Sequence, residues 1–283
     1  MRGIRLFFGV VAMVSLLATI SRAEDRSILM ASTIGPVDAG IVTVLEEQFE
    51  KESGIRVRHV GAGTGEALKI AEQGSVELVL VHAKSLEEKF IAAGYGTERI
   101  PFMYNDFVIV GPADDPAGIR GMKSAGAALA KIAGAQKRFI SRGDKSGTHV
   151  AELELWIRSG VKPSGDWYVT YEKGNEGNGP TLKYTDQQGA YTVIDRATWL
   201  TLKGSLRLQV LVEGDEALLN YISLIPVNPK KFPKLNHDAA MAFITWLTAP
   251  DKGQVVVRDF GREKFGEPLF FPNSREWVRL NAK

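Results

Sequence analysis

The feature that most constrains this fold is the alternation of short apolar segments with amphipathic helices in the first half of the chain. Ile41, Val44, Leu45 and Phe49 recur at helical spacing before Gly54, which predicts a helix that ends at that glycine. Strands joined by helices form parallel sheets that helices cover, so the pattern predicts an α/β fold. The other elements predicted here are strands at 27–31, 55–60 and 78–81 and helices at 65–72 and 85–93.

The first 23 residues have the pattern of a signal peptide. Arg2 and Arg5 precede an apolar run, 6–17, that is too short to span a bilayer. Small residues at Ser21 and Ala23 then supply a cleavage site, and the chain contains no Cys that could carry a lipid. We therefore expect export to the periplasm through a cleavable signal peptide, without a lipid anchor.

Composition excludes several classes of protein. The absence of Cys from 283 residues rules out a disulfide framework, a thiolate nucleophile and a Cys-ligated metal. The net charge of +2 is spread along the chain, which gives no electrostatic footprint for nucleic acid. With 45% hydrophobic residues, a mature chain of this length is large enough for two domains.

Two similar strands indicate where the chain passes between those domains. One runs over 106–110 into a turn at Gly111-Pro112, and the other, near 221–227, also ends in a proline-containing turn. We predict one lobe from 24–108 with 223–283, a second lobe at 109–222, and a hinge of two strands. The second lobe should contain helices at 123–133 and 147–158 and strands at 139–140 and 167–171, while helices at 238–247 and 251–260 and the tail 265–272 should complete the first.

A glycine-rich segment, Gly61-Ala62-Gly63-Thr64-Gly65, lies between a predicted strand and a predicted helix. Free backbone N–H groups and the positive end of the helix dipole favour an anion at such a position. The segment is neither a P-loop nor a dinucleotide fingerprint, because no Gly-Lys-Ser/Thr follows and Glu66 replaces the third glycine. The alternative is an ordinary turn in which Thr64 merely caps a helix.

A second loop of the same kind spans 141–148, with the sequence Ser-Arg-Gly-Asp-Lys-Ser-Gly-Thr. The planar guanidinium of Arg142 can donate to two oxygens of a tetrahedral anion at once. Ser146, Gly147 and Thr148 add donors at the start of the next helix. The alternative makes Asp144 or Ser146 an N-cap and Arg142 a surface ion-pair partner.

Ser32 and Thr33 end the first strand and supply a third set of hydroxyl donors, although they could equally be caps. Because ligands of open α/β sheets bind beyond the carboxyl ends of the strands, these loops could line one cleft. The four His residues lack metal-ligand spacing. A hydrolase that uses Ser146 and His149 is the rival from another class, but no G-x-S-x-G elbow surrounds that serine.

Several segments together resemble the tungstate-binding proteins of ABC importers. The matching segments are 63–68, 81–83, 103–112, 141–149, 195–196 and 266–272. The resemblance implies a type II periplasmic-binding fold, in which each lobe is a mainly parallel sheet flanked by helices. It also implies capture of tungstate, and of molybdate, for an ABC permease, with no catalysis, no cofactor and no bare metal cation. Carried over residue by residue, it assigns the ion to Ser32, Thr33 and Thr64 of the first lobe and to Arg142, Ser146, Gly147 and Thr148 of the second; a monomer is expected.

One departure from that family concerns the segment after the first strand. The family has a Thr-Thr-Thr-Ser run there, whereas this chain continues from Thr33 with Ile34 and Gly35. Loss of hydroxyl donors leaves the identity of the oxyanion open, with phosphate and sulfate as alternatives. The direction of Asp144 matters too, since an inward carboxylate acceptor would favour a protonated anion such as hydrogen phosphate.

Overall fold

The computed structural model describes residues 27–282, so the predicted signal peptide, 1–23, lies outside the described residues. The strands are β1 Ser27–Thr33, β2 Arg56–Ala62, β3 Leu78–Val81, β4 Ile100–Gly111, β5 Phe139–Ser141, β6 Tyr168–Thr170, β7 Thr192–Asp195, β8 Gln209–Val212, β9 Leu219–Pro226 and β10 Phe271–Pro272. The helices are α1 Ile34–Ala39, α2 Ile41–Ser53, α3 Thr64–Glu72, α4 Lys84–Ala92, α5 Ala125–Gly134, α6 Gly147–Ser159, α7 Asn178–Gln188, α8 Arg196–Leu202, α9 His237–Thr248, α10 Gly253–Asp259, α11 Arg262–Phe265 and α12 Arg275–Asn281. The predicted α/β class is confirmed.

The described chain divides into two compact units. Unit 1 contains residues 27–101, 223–254 and 274–282, and unit 2 contains 102–222 and 255–273. Two strands, β4 and β9, run from one unit into the other. The predicted lobes are defined by motion about a hinge, whereas the compact units are defined by packing. The lobe boundaries therefore stay a prediction. The compact units differ from them at 102–108 and 255–273, which belong to unit 2 because β10 pairs with β4 at Tyr104 and Met103.

The sheet of unit 1 has the strand order β9-β3-β1-β2. β1 pairs in parallel with both β2 and β3, whereas β9 runs antiparallel to β3. One face of this sheet packs on α3 and α4, where Ala67, Leu68 and Phe90 cover Val79 and Ile225. The three parallel strands therefore end at one edge, and a helix follows each of them.

Unit 2 mixes antiparallel and parallel pairs, which is a correction to the mainly parallel sheet expected for this half. β4 pairs antiparallel with β7, β8 and β10, because these strands return alongside the strand that enters the unit. Only β5 and β6, with a bridge from Phe139 to Tyr191, are parallel among the described pairs of this unit. Its core is rich in aromatic side chains, with Trp156 packed edge-on against Phe139 and Trp167.

The segment from 172 to 218 contains two helices and two strands, α7, β7, α8 and β8, that periodicity did not predict. The start of α7, Asn178-Gly179-Pro180, has the composition of a turn. Pro180 is tolerated because the N–H groups of the first helical turn have no intrahelical acceptor. Among the described residues, none of the helices combines the length and the apolar character needed to cross a membrane.

Candidate functional site

The carboxyl edge of the unit 1 sheet brings together the first-lobe residues that the sequence singled out. Thr33 is the last residue of β1 and pairs with Ala62, the last residue of β2. Gly63 is the N-cap of α3, and no side chain caps that helix. The first N–H groups of α3 therefore have no side-chain acceptor at the point where two parallel strands end.

Two buried hydroxyls at this edge lack hydrogen-bond partners among residues 27–282. Neither Thr33 Oγ1 nor Thr64 Oγ1 has a hydrogen-bond partner within the described part of the chain, although both atoms are buried. A buried polar group without a partner costs about 1–3 kcal/mol, so native proteins rarely keep one without a reason. The Ser32 hydroxyl differs, because it donates to the Thr33 carbonyl at 3.2 Å.

Unit 2 forms the second donor set between β5 and α6. Ser141 ends β5, and Ser146 is the N-cap of α6, with its Oγ accepting the His149 N–H at 3.4 Å. Gly147 and Thr148 then form the first turn of the helix. The first helical turn thus presents backbone N–H groups and the positive end of the helix dipole.

Arg142 is held by three acceptors from three different segments. Its Nε donates to the Gly174 carbonyl at 3.0 Å, and Nη1 donates to Asn178 Oδ1 at 2.5 Å. Nη2 lies 2.8 Å from Asp144 Oδ2, and the Arg142 side chain is only 14% exposed. A guanidinium carries five N–H bonds, so two remain for a ligand while the others fix its plane.

Asp144 uses both of its carboxylate oxygens inside the loop. Oδ2 pairs with Arg142, and Oδ1 accepts the Ser146 N–H at 3.1 Å. Both parts of the alternative interpretation made from the sequence therefore occur, one of them in altered form. Ser146 is the N-cap, and Arg142 is ion-paired but largely buried rather than exposed at the surface. The pairing partly balances the charge of Arg142 and leaves two of its N–H groups as donors, in addition to those at the start of α6.

Asn178 links Arg142 to a second carboxylate. Its Nδ2 donates to Asp195 Oδ2 at 2.7 Å, so its Oδ1 is directed to Arg142. Asp195 also caps α8 by accepting the Thr198 N–H. Gly174 is required beside this group, because a Cβ there would lie 1.8 Å from the Arg142 carbonyl oxygen.

Glu152 lies on α6 beneath the same loop and is 2% exposed. Its carboxylate accepts from Ser141 Oγ at 2.8 Å, Tyr168 Oη at 2.8 Å and Trp156 Nε1 at 3.1 Å. It also accepts the backbone N–H of Arg142. Burial outweighs these four donors and raises the pKa of Glu152 to about 7.

His149 is committed to the backbone of the loop. Its Nδ1 accepts the N–H of Lys145 at 2.9 Å and so stabilises the left-handed conformation of that residue, whose φ is 62°. Desolvation lowers the pKa of His149, with an opposing contribution from Asp144 and a further lowering from Arg142. The Ser146 hydroxyl meets the His149 backbone rather than Nδ1, so the two side chains are not paired as nucleophile and base through this nitrogen.

Three residues that contact this loop from outside it escaped sequence reasoning: Glu152, Gly174 and Asn178. Gly174 and Asn178 lie 32 and 36 residues from Arg142 along the chain, and no spacing rule connects them. Glu152 gave a weak signal, as a carboxylate on the apolar side of a helix. Within residues 27–282, no group of three or more His, Cys, Asp or Glu could hold a metal ion.

Comparisons with known proteins identify the family of this chain. Residues 20–251 match the family model described as a PBP superfamily domain. The tungstate-binding protein TupA of Peptoclostridium acidaminophilum is 43% identical over 250 residues, which cover 88% of this chain and 86% of the relative.

Solved structures give the same result. The tungstate-binding protein TupA from Desulfovibrio alaskensis superposes with a TM-score of 0.82 at 42% identity, over 88% of this chain and 99% of that chain. A structure described as the tungstate ABC transporter from Geobacter sulfurreducens gives a TM-score of 0.72 at 44% identity, over 83% of this chain and 99% of that one. The chain therefore belongs to the PBP superfamily and, within it, to the family of the tungstate-binding proteins of ABC transporters.

Proposed function

We propose that this protein captures a tetrahedral oxyanion, tungstate first and molybdate second, and delivers it to an ABC permease. The observation that carries the proposal is a pair of buried hydroxyls at the carboxyl edge of the unit 1 sheet, Thr33 Oγ1 and Thr64 Oγ1, which have no partner in the described part of the chain. Both are donors that an oxyanion would satisfy. The relatives named for tungstate, at 42–44% identity, support the choice of ion.

The donor set favours a fully deprotonated anion. Arg142 and the first turn of α6 supply N–H groups, and the threonines supply hydroxyls. Both oxygens of Asp144 already accept hydrogen bonds within the loop, from Arg142 and from Ser146, which makes this carboxylate a weaker acceptor for the proton of hydrogen phosphate. We therefore rank phosphate below tungstate, molybdate and sulfate.

The remaining expectations form part of the same proposal. The protein acts in the periplasm after cleavage at residue 23, as a monomer and without catalysis. Ser32, Gly147 and Thr148 complete the proposed ligand set, together with Ser146. The lobes 24–108 with 223–283 and 109–222 move about the strands that connect them, and the ligand favours the state that the permease recognises. Substitutions in either unit should therefore weaken binding of the same ion.

The test is calorimetric titration of refolded, ligand-free mature protein with tungstate, molybdate, sulfate and phosphate. We expect tungstate to bind with a dissociation constant at or below about 10 nM, near −11 kcal/mol, and phosphate to bind at least a hundredfold more weakly. Phosphate as the tightest ligand, or no heat with any of the four ions, would overturn the proposal.

Thr33→Val should separate affinity from stability. Valine keeps the shape of the side chain but removes a buried hydroxyl that has no partner among residues 27–282, so the ligand-free protein should unfold at an unchanged or higher temperature. The bound ion should lose one charge-assisted hydrogen bond of about 1.5–3 kcal/mol, which is roughly a ten- to hundredfold loss of tungstate affinity. Thr245→Val, in which an exposed hydroxyl donates to the Met241 carbonyl, should leave affinity unchanged.

Asn178→Ala should weaken tungstate binding by about tenfold, because it removes one of the three acceptors that fix Arg142. The matched control is Gln188→Ala on the same helix, whose Oε1 accepts from Arg138 at 2.7 Å. Calorimetry on both variants decides the point. Equal effects of the two substitutions would show that Asn178 contributes only to the stability of α7.

A further inference from the structure

A third buried hydroxyl lies level with the predicted ligands of unit 1 and was not suggested by the sequence. Ser223 on β9 is 0% exposed, and its Oγ has no hydrogen-bond partner within the part of the chain that the structure describes. Among residues 27–282, the buried side-chain N and O atoms without a hydrogen-bond partner are Thr33 Oγ1, Thr64 Oγ1, Glu87 Oε1, Ser223 Oγ and His237 Nδ1. All three hydroxyls in this set belong to unit 1.

Strand register places Ser223 at the edge where the ion is proposed to bind. Ser223 pairs directly with Val81, the last residue of β3. Ser32 pairs with Leu80, so Thr33, one residue further along β1, is level with Val81. Thr33, Val81 and Ser223 thus form one row across three strands.

The same register fixes the face of the sheet. Side chains at directly paired positions lie on the same face, so Ser223 and Thr33 share a face. Neighbouring strands are about 4.8 Å apart, which puts the two backbones roughly 10 Å apart. Two hydroxyls separated by about that distance, each with a hydrogen bond of about 2.7 Å to the ion, can be bridged by one small oxyanion beyond the end of β3.

The end of β3 supplies donors between them. α4 begins at Lys84, separated by two residues from the end of β3 at Val81, and its N-cap, Ala83, provides no side-chain hydrogen bond. Among the described residues, the N-cap of α4 therefore supplies no side-chain acceptor for the first N–H groups of this helix, which follow the end of β3. Hydroxyls at both ends of the row and N–H groups just beyond its middle strand can all donate to one anion.

We propose that Ser223 is a further oxyanion ligand, whose hydroxyl donates to the ion bound by Thr33 and Thr64; this inference rests on the proposed function. The apolar surroundings of Ser223 indicate that its hydroxyl serves a purpose other than packing. Val81, Ile225 and Val227 on the same face are core residues with at most 2% exposure. Alanine at 223 would suit that core better than serine, since it buries no polar atom.

The test is the pair of variants Ser223→Ala and Ser274→Ala in the full mature protein, with tungstate as the probe. Ser223→Ala should weaken tungstate binding by about ten- to hundredfold, while its ligand-free melting temperature stays equal to or above that of the wild type. Ser274 is also buried in unit 1, but its Oγ accepts the Trp277 N–H and caps α12. Ser274→Ala should lower the melting temperature and leave tungstate affinity within about twofold.

Wild-type and Arg142→Ala titrations keep the two proposals distinguishable. If the wild type binds none of the four anions, the proposed function fails and this inference fails with it. If the wild type binds tungstate and Ser223→Ala binds it equally well, Ser223 is not a ligand and the proposed function stands. A lower melting temperature of Ser223→Ala with unchanged affinity would likewise overturn the inference, since it would reveal a purely structural hydroxyl.

Discussion

Replacement of Arg142 by alanine is expected to reduce tungstate affinity by at least a hundredfold, the largest effect of any single substitution proposed for this protein. Arg142 is the ligand candidate with a charge, and hydrogen bonds to charged groups contribute about 1.5–3 kcal/mol each. Its removal also leaves Asp144 Oδ2 without its cation. The unpaired carboxylate would then repel a dianion in the same loop.

The lysine variant divides this effect into charge and geometry. Arg142→Lys keeps the positive charge but loses the planar fork that reaches Gly174 and Asn178 together. We expect its tungstate affinity to lie between those of the wild type and the alanine variant, at least tenfold below the wild type. Calorimetry measures both variants.

Arg138→Ala is the matched control. Arg138 precedes β5 and is exposed, with its guanidinium bonded to Gln188 at 2.7 Å. Its removal should change tungstate affinity by less than about threefold. If Arg138→Ala and Arg142→Ala reduce affinity equally, general electrostatic attraction explains binding and the loop 141–148 is not the site.

The sequence predicted those parts of the fold that depend on local pattern. Helix α2 follows from the spacing of Ile41, Leu45 and Phe49, and it ends at Gly54, which adopts the left-handed conformation with φ 72°. Strand β3 has the predicted limits because four consecutive apolar residues are fully buried there. The sequence did not predict α7, because the first turn of this helix resembles a loop in composition and its helical state depends on packing of Leu182 and Thr185 in unit 2.

For the candidate site as well, the sequence predicted the residues whose role follows from their own side-chain chemistry. A strand that ends in Ser-Arg-Gly-Asp-Lys-Ser-Gly-Thr predicts anion donors from residue types alone. The sequence could not predict the orientation of Asp144, because that orientation depends on whether Arg142 or solvent supplies the nearest donor. Ser223 could not be recognised either. One serine in an apolar strand carries no periodic signal, and only the register with Val81 places it in the same row as Thr33, one strand away from β1.

The stability of the ligand-free protein should depend on pH through Glu152. The pKa of this carboxyl is raised from 4.5 to about 7 in the folded state because burial disfavours its charge. Its contribution to stability is therefore fully present below about pH 4.5, falls as the pH rises, and is lost above about pH 7. A difference of that size corresponds to about 3 kcal/mol.

Comparison of the wild type with Glu152→Gln isolates this effect, because all other titrating groups contribute equally to both proteins. Glutamine retains the shape of the side chain but does not titrate. Between pH 5 and pH 8, the free energy of unfolding of the wild type should fall relative to that of the variant by about 2–3 kcal/mol. Urea denaturation at several pH values measures the difference.

Glu154→Gln provides the control on the same helix, since Glu154 is exposed and its replacement should leave the pH profile parallel to that of the wild type. Parallel profiles for Glu152→Gln as well would contradict the prediction.

The contacts of Glu152 explain why the protein tolerates the loss of stability that this residue causes at neutral pH. Ser141 Oγ and the Arg142 N–H both donate to this one carboxylate, so the protein accepts a desolvated acid in order to fix the start of the loop that carries Arg142. Glu152→Gln should accordingly bind tungstate more weakly even at a pH where it is the more stable protein.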